Sequence, residues 1–447
     1  MPTSARPPDR RSEFAGVYAA IEAEAQRGNW NAVSERLKDW GADTHATLPD
    51  AADRQRLAEL GIALLTEGDT GDCRGLAVAF RPAGEAAIAA LHDLLIDPEG
   101  EFEARWFAGQ ILAKLRHIEA MTALVAALDS DDEMTASIAV DTLGHFGKAE
   151  IELLVGELER TSRTPDRAKL RHSLVRALTQ ISDPVAIAPL LPVARDPDPA
   201  IRLLAVGAMS AFDDERVVSV LLAALHDTSP PVRKVALSGL GAKAQYSQQF
   251  RAGTGGDAPQ TQPATAAPID WLAHFQPLTL DINPEVATQA TIAIGRLSSP
   301  EAISVLLKLL RSPLTPEPQA LAIVRALLQI ADPESISALL ETCTLAPERY
   351  AVTLEAVRGI GRLRDRGPDV AARLAGWCEI RFGHLNSSEA IDSQLAHCDP
   401  TLLQAIAYGF GTLGMPVARP WLVQLAADSR DRVRIAATNA LSKLATA

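Results

Sequence analysis

Val232-Arg233-Lys234-Val235-Ala236-Leu237-Ser238-Gly239-Leu240-Gly241 is the stretch whose reading decides the fold. Its apolar residues fall at helical spacing, and its opening returns as Ile201-Arg202-Leu203-Leu204-Ala205 and as Val433-Arg434-Ile435-Ala436-Ala437. Arg171, Arg202 and Arg233 stand 31 residues apart. Self-similarity with a period of about 20 to 50 residues marks an array of repeats. Working outward in this register gives ten anchors: Arg105, Ala136, Arg171, Arg202, Arg233, Ala287, Ala320, Thr353, Leu403 and Arg434. Most gaps are 31 to 35 residues, and the two long ones, 54 after Arg233 and 50 after Thr353, mark insertions.

The register is tested by whether its columns are chemically uniform. Seven residues after the anchors stand Leu112, Leu143, Leu178, Met209, Leu240, Ile294, Leu327, Ile360, Phe410 and Leu441, all large and apolar. Three after stand Ala108, Ala139, Leu174, Ala205, Ala236, Ala290, Ile323, Ala356, Ile406 and Ala437, and six after, the residues are mostly Ala or Gly. Positions +3, +6 and +7 share one helical face. Small residues there let neighbouring helices approach closely, and large ones fill the space between them. A turn and a second apolar helix follow each anchored helix, as in Ser182-Asp183-Pro184 before Val185 to Leu191 and Ala331-Asp332-Pro333 before Glu334 to Leu340. Asp followed by Pro reads as an N-cap and an N1 proline. A helix of about 10 to 13 residues is marginal alone in water, so such helices must shield one another. The expected fold is all-α: a solenoid of about ten stacked helical hairpins.

Residues 1–12 read as a disordered tail and 13–70 as an irregular N-terminal helical cap, the kind of covering that a solenoid end needs. Repeats fill 71–243, with a weak further anchor at Arg74, and resume over 269–447. Residues 244–268, rich in Gln, Thr, Gly and Ala, read as a disordered loop insertion. A second insertion, at about 364–400, is expected on one rim.

Composition agrees. Hydrophobic residues make up 47% and aromatics 4%, so the core must be built from Ala, Leu, Ile and Val. The net charge of −13 speaks against general binding of a phosphate backbone, so no nucleic-acid partner is expected. Four cysteines without regular spacing, Cys73, Cys343, Cys378 and Cys398, suit a reducing compartment. The polar, Pro-rich start lacks the apolar core of a secretory signal, and no stretch approaches the length needed to span a bilayer. These features point to a cytoplasmic protein without membrane insertion.

Chemistry-bearing patterns are sparse, and no catalytic residue is assigned. Cys378, His384, His397 and Cys398 contain zinc-ligand types, but the Cys-x5-His-x12-His-Cys spacing is awkward for a tetrahedral site, and no metal is expected. Gly359-Ile360-Gly361 and Gly409-Phe410-Gly411 fall at +6 and +8 and read as helix packing rather than as a cofactor loop. The anchors Arg171, Arg202 and Arg233 read as an inter-repeat ladder to turn acids such as Asp198. If the anchored helices line an inner wall, positions +1 and +5 face solvent there. The +5 column is Gln110, Asp141, Arg176, Gly207, Ser238, Ile292, Arg325, Arg358, Tyr408 and Asn439, and +1 adds Trp106, His172 and Lys234. We take Trp106, Gln110, Asp141, His172, Arg176, Lys234, Arg325, Arg358, Tyr408 and Asn439 as the candidate partner-binding set on this concave face. Arg325 and Arg358, roughly 10 Å apart by helix packing, suit carboxylates.

The runs Val-Arg-x-x-Ala-x-x-x-Leu-Gly (Val232 to Gly241) and Asp-Pro-x-Ala-Ile-x-x-Leu (Asp183 to Leu190) resemble the HEAT-like repeats of the phycobilisome-lyase type over about residues 74 to 447. The resemblance implies a HEAT-like α-solenoid, a cyanobacterial cytosolic protein, and a phycobiliprotein or other assembly client. It also implies a choice between a non-catalytic scaffold or assembly factor and a bilin lyase or bilin-carrying chaperone, with bilin as the possible cofactor and its two propionates meeting Arg325 and Arg358. Deoxyhypusine hydroxylase is an enzyme of similar architecture that holds iron with His-Glu dipeptides. None of the nine histidines here precedes Glu, so that site does not transfer.

Overall fold

The computed structural model describes residues 10–42, 50–69, 73, 75–144, 148–162, 164, 167–181, 184–253, 269–345, 349–363, 367–383 and 394–446. It divides into two compact units, Met1–Phe212 and Asp213–Ala447. Among the described residues every regular element is a helix.

The first unit runs α1 (Arg10–Gln26), α2 (Trp30–Ala42), α3 (Ala51–Glu67), α4 (Ala77–Phe80), α5 (Glu85–Ile96), α6 (Phe102–Leu115), α7 (Ile118–Ala127), α8 (Glu133–Gly144), α9 (Lys148–Ser162), α10 (Ala168–Gln180), α11 (Ile187–Val193) and α12 (Pro199–Ser210). The second runs α13 (Glu215–Ala224), α14 (Pro230–Gly253), α15 (Trp271–Phe275), α16 (Pro284–Leu297), α17 (Pro300–Arg311), α18 (Glu317–Ile330), α19 (Pro333–Leu345), α20 (Tyr350–Ile360), α21 (Gly367–Phe382), α22 (Pro400–Leu413), α23 (Arg419–Ala426) and α24 (Asp431–Thr446). Each unit is a row of hairpins in which anchored helices pack on anchored helices: α6 on α8, α8 on α10 and α10 on α12, then α14 on α16 and onward to α24. This is the α-solenoid arrangement.

The columns read from sequence are the core. All ten +3 side chains are buried, and nine of the +7 side chains are at most 1% exposed, the exception being half-buried Leu441 in α24. Each large +7 side chain contributes roughly 1.5 to 3 kcal/mol by leaving water. The +8 residue sets the spacing. A Cβ on Gly361 would lie 2.5 Å from the Cα of Gly409, so α20 and α22 touch backbone to backbone. Glycine is required there because nothing at that contact can yield.

Turn chemistry starts the helices. The side chains of Asp198, Asp214, Asn283, Ser299 and Asp332 accept backbone N–H bonds from their following turns. Arg116, Ser298 and Ala331 end α6, α16 and α18 with φ of 51°, 51° and 54°, and each stands eleven residues after its anchor. Gly414, at the same position, ends α22 with φ 70°.

The arginine ladder exists, with a correction to its acids. Arg171 Nε donates to Asp196 Oδ2 at 3.1 Å, while Asp198 is occupied as the N-cap of α12. Arg233 forms two bonds to Asp281, at 2.8 and 2.7 Å, and donates to the carbonyls of Asp227 and Thr228. Arg202 donates to the carbonyls of Asp196 and Pro197. Arg105 pairs with Asp132, and the hydrogen bonds from Arg105 and Thr135 hold that carboxyl well below the usual carboxylate range. Where the anchor is Ala, a different residue makes the tie: buried Gln319 donates to Thr279 O at 2.9 Å and Thr291 Oγ1 at 3.1 Å.

Two segment readings need adjustment. α14 continues to Gly253, ten residues into the stretch read as loop, because Ala242-Lys243-Ala244-Gln245 are sound helix formers and no Pro or Gly interrupts them. Residues 254–268 lie outside the described residues, as do Arg74, Asp183 and His384. The helix α1 begins at Arg10, inside the stretch read as tail. Three helices, α1 to α3, lie in or overlap the stretch read as the cap, and α21 lies in the first part of the stretch read as the second insertion.

Candidate functional site

A helix residue at +1, +5 or +9 lies opposite the +3/+7 core stripe, so the geometry that buries one column presents the other. Every +5 residue is exposed or half-buried. The candidate residues fall into two groups, one in each unit.

In the first unit, Trp106 and Gln110 line a cavity of ≈ 360 Å³, together with Phe107, Ile111 and Lys114 of α6 and Leu76 before α4. Trp106 packs edge-on against Phe107, with ring centroids 5.1 Å apart, and is 37% exposed. Asp141 accepts a hydrogen bond from Gln180 Nε2 at 3.2 Å, which ties α8 to α10 across the face. His172 is half-buried; burial, and then the Arg176 charge, push its pKa down, against a smaller upward pull from Asp198.

In the second unit, Lys234 pairs with Glu285 at 2.8 Å and Arg325 with Glu355 at 2.9 Å. Of the Arg325 and Arg358 pair read as suited to carboxylates, Arg325 is thus engaged by a carboxylate of the next anchored helix. The sequence register gave no sign of this, because Glu355 stands at +2, outside the columns considered. Arg358 is exposed and, among the described residues, has no ion-pair partner.

Tyr408 and Asn439 come together. They line a groove of ≈ 370 Å³ between α22 and α24, with Gln404 on one wall and Arg432, Ile435 and Lys443 on the other. Tyr408 is 62% and Ile435 57% exposed. The Lys443 ammonium sits 5.9 Å from the Tyr408 ring centroid, a cation–π contact. The groove exists because Gly411 at +8 lies against Ala440, where a Cβ would come within 2.6 Å of the Ala440 Cβ. Small residues at its floor leave the flanking long side chains standing as walls. Sequence reading found two of these side chains and missed Gln404, Arg432, Ile435 and Lys443. Gln404 and Ile435 were within reach, since both are +1 residues, and Lys443 is +9 on the same stripe.

Cysteine chemistry is muted. Burial pushes the Cys343 thiol up to about 11 and raises those of Cys378 and Cys398 as well. Among the described residues no group of three or more His, Cys, Asp or Glu is placed to hold a metal ion, and no helix is long and apolar enough to cross a membrane.

The model of HEAT repeats matches residues 156–241. A chain from the structure in which Kap95p binding induces the switch loops of RanGDP to adopt the GTP-bound conformation is similar in fold: TM-score 0.56 at 12% identity, over 97% of this chain and 60% of that one. This chain therefore spans about three fifths of that relative. Importin beta aligns at TM-score 0.40 and 14% identity, over 98% of this chain and 66% of that one. Human deoxyhypusine hydroxylase aligns at 0.23 and 18%, over 80% and 96%. No curated protein matches the chain.

Proposed function

We propose that this HEAT-like repeat α-solenoid is a non-catalytic scaffold or assembly factor, cytoplasmic, that holds a protein partner on the +1/+5 face of its anchored helices. One observation carries the reading. The groove between α22 and α24 keeps an aromatic ring, an aliphatic side chain and the exposed Arg432 guanidinium together at the surface. Large exposed apolar side chains gathered with Arg and Tyr are the composition of interface anchors. The repeat resemblance supports a cyanobacterial setting and a phycobiliprotein or other assembly client. The test is affinity purification from the native host with the chain and with an Arg358→Glu/Tyr408→Ala variant. A discrete partner held in stoichiometric amount by the first and lost by the second supports the reading; equal recovery refutes it.

A bilin lyase or bilin-carrying chaperone is the second reading, and what supports it is the exposed Arg358 guanidinium as a partner for a propionate. Incubation of the purified chain with phycocyanobilin tests it, and the absence of any visible absorbance band removes it.

A further inference from the structure

The three surface columns of the second unit carry an asymmetry that its net charge conceals. Over α14, α16, α18, α20, α22 and α24, positions +1, +5 and +9 hold Lys234, Arg296, Arg325, Arg358, Arg362 and Lys443, and no Asp or Glu stands at any of them. None of these positions is buried. The protein as a whole carries 56 acidic against 43 basic residues. The stripe is therefore a basic ledge on an acidic molecule, with Lys234 and Arg325 already paired to Glu285 and Glu355 from outside the columns, and the α22/α24 groove opens on it.

The groove repeats the pattern at close range. No carboxylate lines it. The acids beside it are already engaged: Asp431 by Arg434, and Asp428 by Arg430 at 2.7 Å. Arg432, next to Asp431 in sequence, is exposed and has no ion-pair partner among the described residues. Asn439 also presents its amide to solvent. The volume, ≈ 370 Å³, is at the small end of ligand pockets (about 300 to 1,000 Å³), which fits one or two side chains rather than a folded surface. Tyr408 and Ile435 supply an apolar clamp, and Arg358, one helix away in the same +5 column as Tyr408, continues the cationic track.

We infer that this groove and ledge take a linear acidic segment of a partner protein, an aromatic or aliphatic side chain seated against Tyr408 and Ile435 and flanking Asp or Glu carboxylates met by Arg358 and Arg432. Guanidinium groups suit carboxylates through paired hydrogen bonds. The apolar clamp distinguishes this ligand from a bare polyanion, for which cations alone would suffice. The inference rests on the docking reading above and narrows its partner.

The experiment uses the full chain and short fluorescein-labelled peptides carrying one Phe, Leu or Tyr flanked by Asp and Glu, with matched Asn/Gln and Lys/Arg versions. Binding is read by anisotropy. The acidic version is expected to bind at least about tenfold tighter than the amide version, about 1.4 kcal/mol, and to weaken as salt shortens the screening length. Arg358→Glu/Arg432→Glu should reduce its affinity by about tenfold or more, and Ile435→Ser should weaken it several-fold; all three side chains are exposed, and circular dichroism checks that the variants remain folded. Equal binding of acidic and amide peptides overturns the inference. So does preference for the basic version, which the net charge of −13 alone would produce, or displacement of the acidic peptide by a single-stranded oligonucleotide that binds more tightly. If the peptides fail while a host partner is still lost on Arg358→Glu/Tyr408→Ala, the docking face stands and the peptide class is wrong; if that partner is retained, the docking face itself is wrong.

Discussion

Arg233 and Lys234 are adjacent, and both reach forward to an acid of the next repeat, yet their removal should differ several-fold in cost. Arg233 makes two hydrogen bonds to Asp281, and the two side chains are only 11% and 7% exposed. Lys234 pairs with Glu285 with the side chains 46% and 69% exposed. Arg233→Ala strands a buried carboxylate, which costs about 3 to 5 kcal/mol. Lys234→Ala removes an exposed pair worth about 0 to 1 kcal/mol. At a denaturant slope of about 3 kcal/mol per molar urea, the first should shift the midpoint by about 1 to 1.7 M and the second by about 0.3 M or less. The assay is urea unfolding followed at 222 nm, with hydrogen exchange on α14 and α16 to assign the transition, since arrays need not unfold in one step.

The pH dependence gives an internal check. Burial alone would raise the Asp281 pKa, but the Arg233 hydrogen bonds and charge and the Asn283 N–H outweigh it, and the net shift is downward. A depressed folded-state pKa stabilises above the unfolded value of about 3.9, and that stabilisation is lost as pH falls through the folded one. In Arg233→Ala burial prevails and the pKa rises. The deficit of the variant should therefore shrink as pH falls from 7 toward about 4. Arg233→Ala/Asp281→Ala should recover more than half of the loss at pH 7. Equal costs for Arg233→Ala and Lys234→Ala, or a double variant worse than the single, would refute the reasoning.

Three further outcomes follow from the packing. Gly361→Ala should destabilise by about 1 to 3 kcal/mol, because its Cβ would meet the Gly409 backbone, whereas Gly156→Ala, with open space around it, should stabilise α9 by about 0.5 to 1 kcal/mol; thermal melts compare the two. Ala331→Gly should raise the melting temperature by relieving a left-handed alanine worth about 1 kcal/mol, and an unchanged or lower value would contradict the cap assignment. Iodoacetamide at pH 8 should label half-buried Cys398 before Cys343 and Cys378, whose thiolates are suppressed by burial, as mass spectrometry of the digest can show.

Much of the fold was legible in the sequence because burial imposes uniform columns. Leu240 and Ile294 had to be large, and Ala236 and Ala290 had to be small or aliphatic, whatever else changed. The groove between α22 and α24 was only half legible. Tyr408 and Asn439 stand in the right column, but what makes a groove is the distance between two helices, and that is set by Gly411 meeting Ala440. Partner choice among charges was not legible either. Asp196 and Asp198 both stand in the turn before α12; the backbone there uses Asp198 as the cap and leaves Asp196 for Arg171. Arg325 was read as suited to a partner's carboxylate, and Glu355 from the next helix already supplies one. The helical run beyond Lys243 was hidden by the low-complexity stretch that follows it, because composition averaged over 244–268 blurs the Ala- and Gln-rich start that extends α14.

Hydroxyl-radical footprinting of the chain, free and bound to the partner purified with it, tests the central claim most directly. The claim is that the partner sits on the surface columns of the anchored helices. Tyr408 and Ile435, 62% and 57% exposed, should lose labelling on binding, while Ile380 of α21 and Val423 of α23, 74% and 55% exposed on the second helices, should label as in the free chain. Protection of Ile380 and Val423 with Tyr408 and Ile435 unchanged would contradict it.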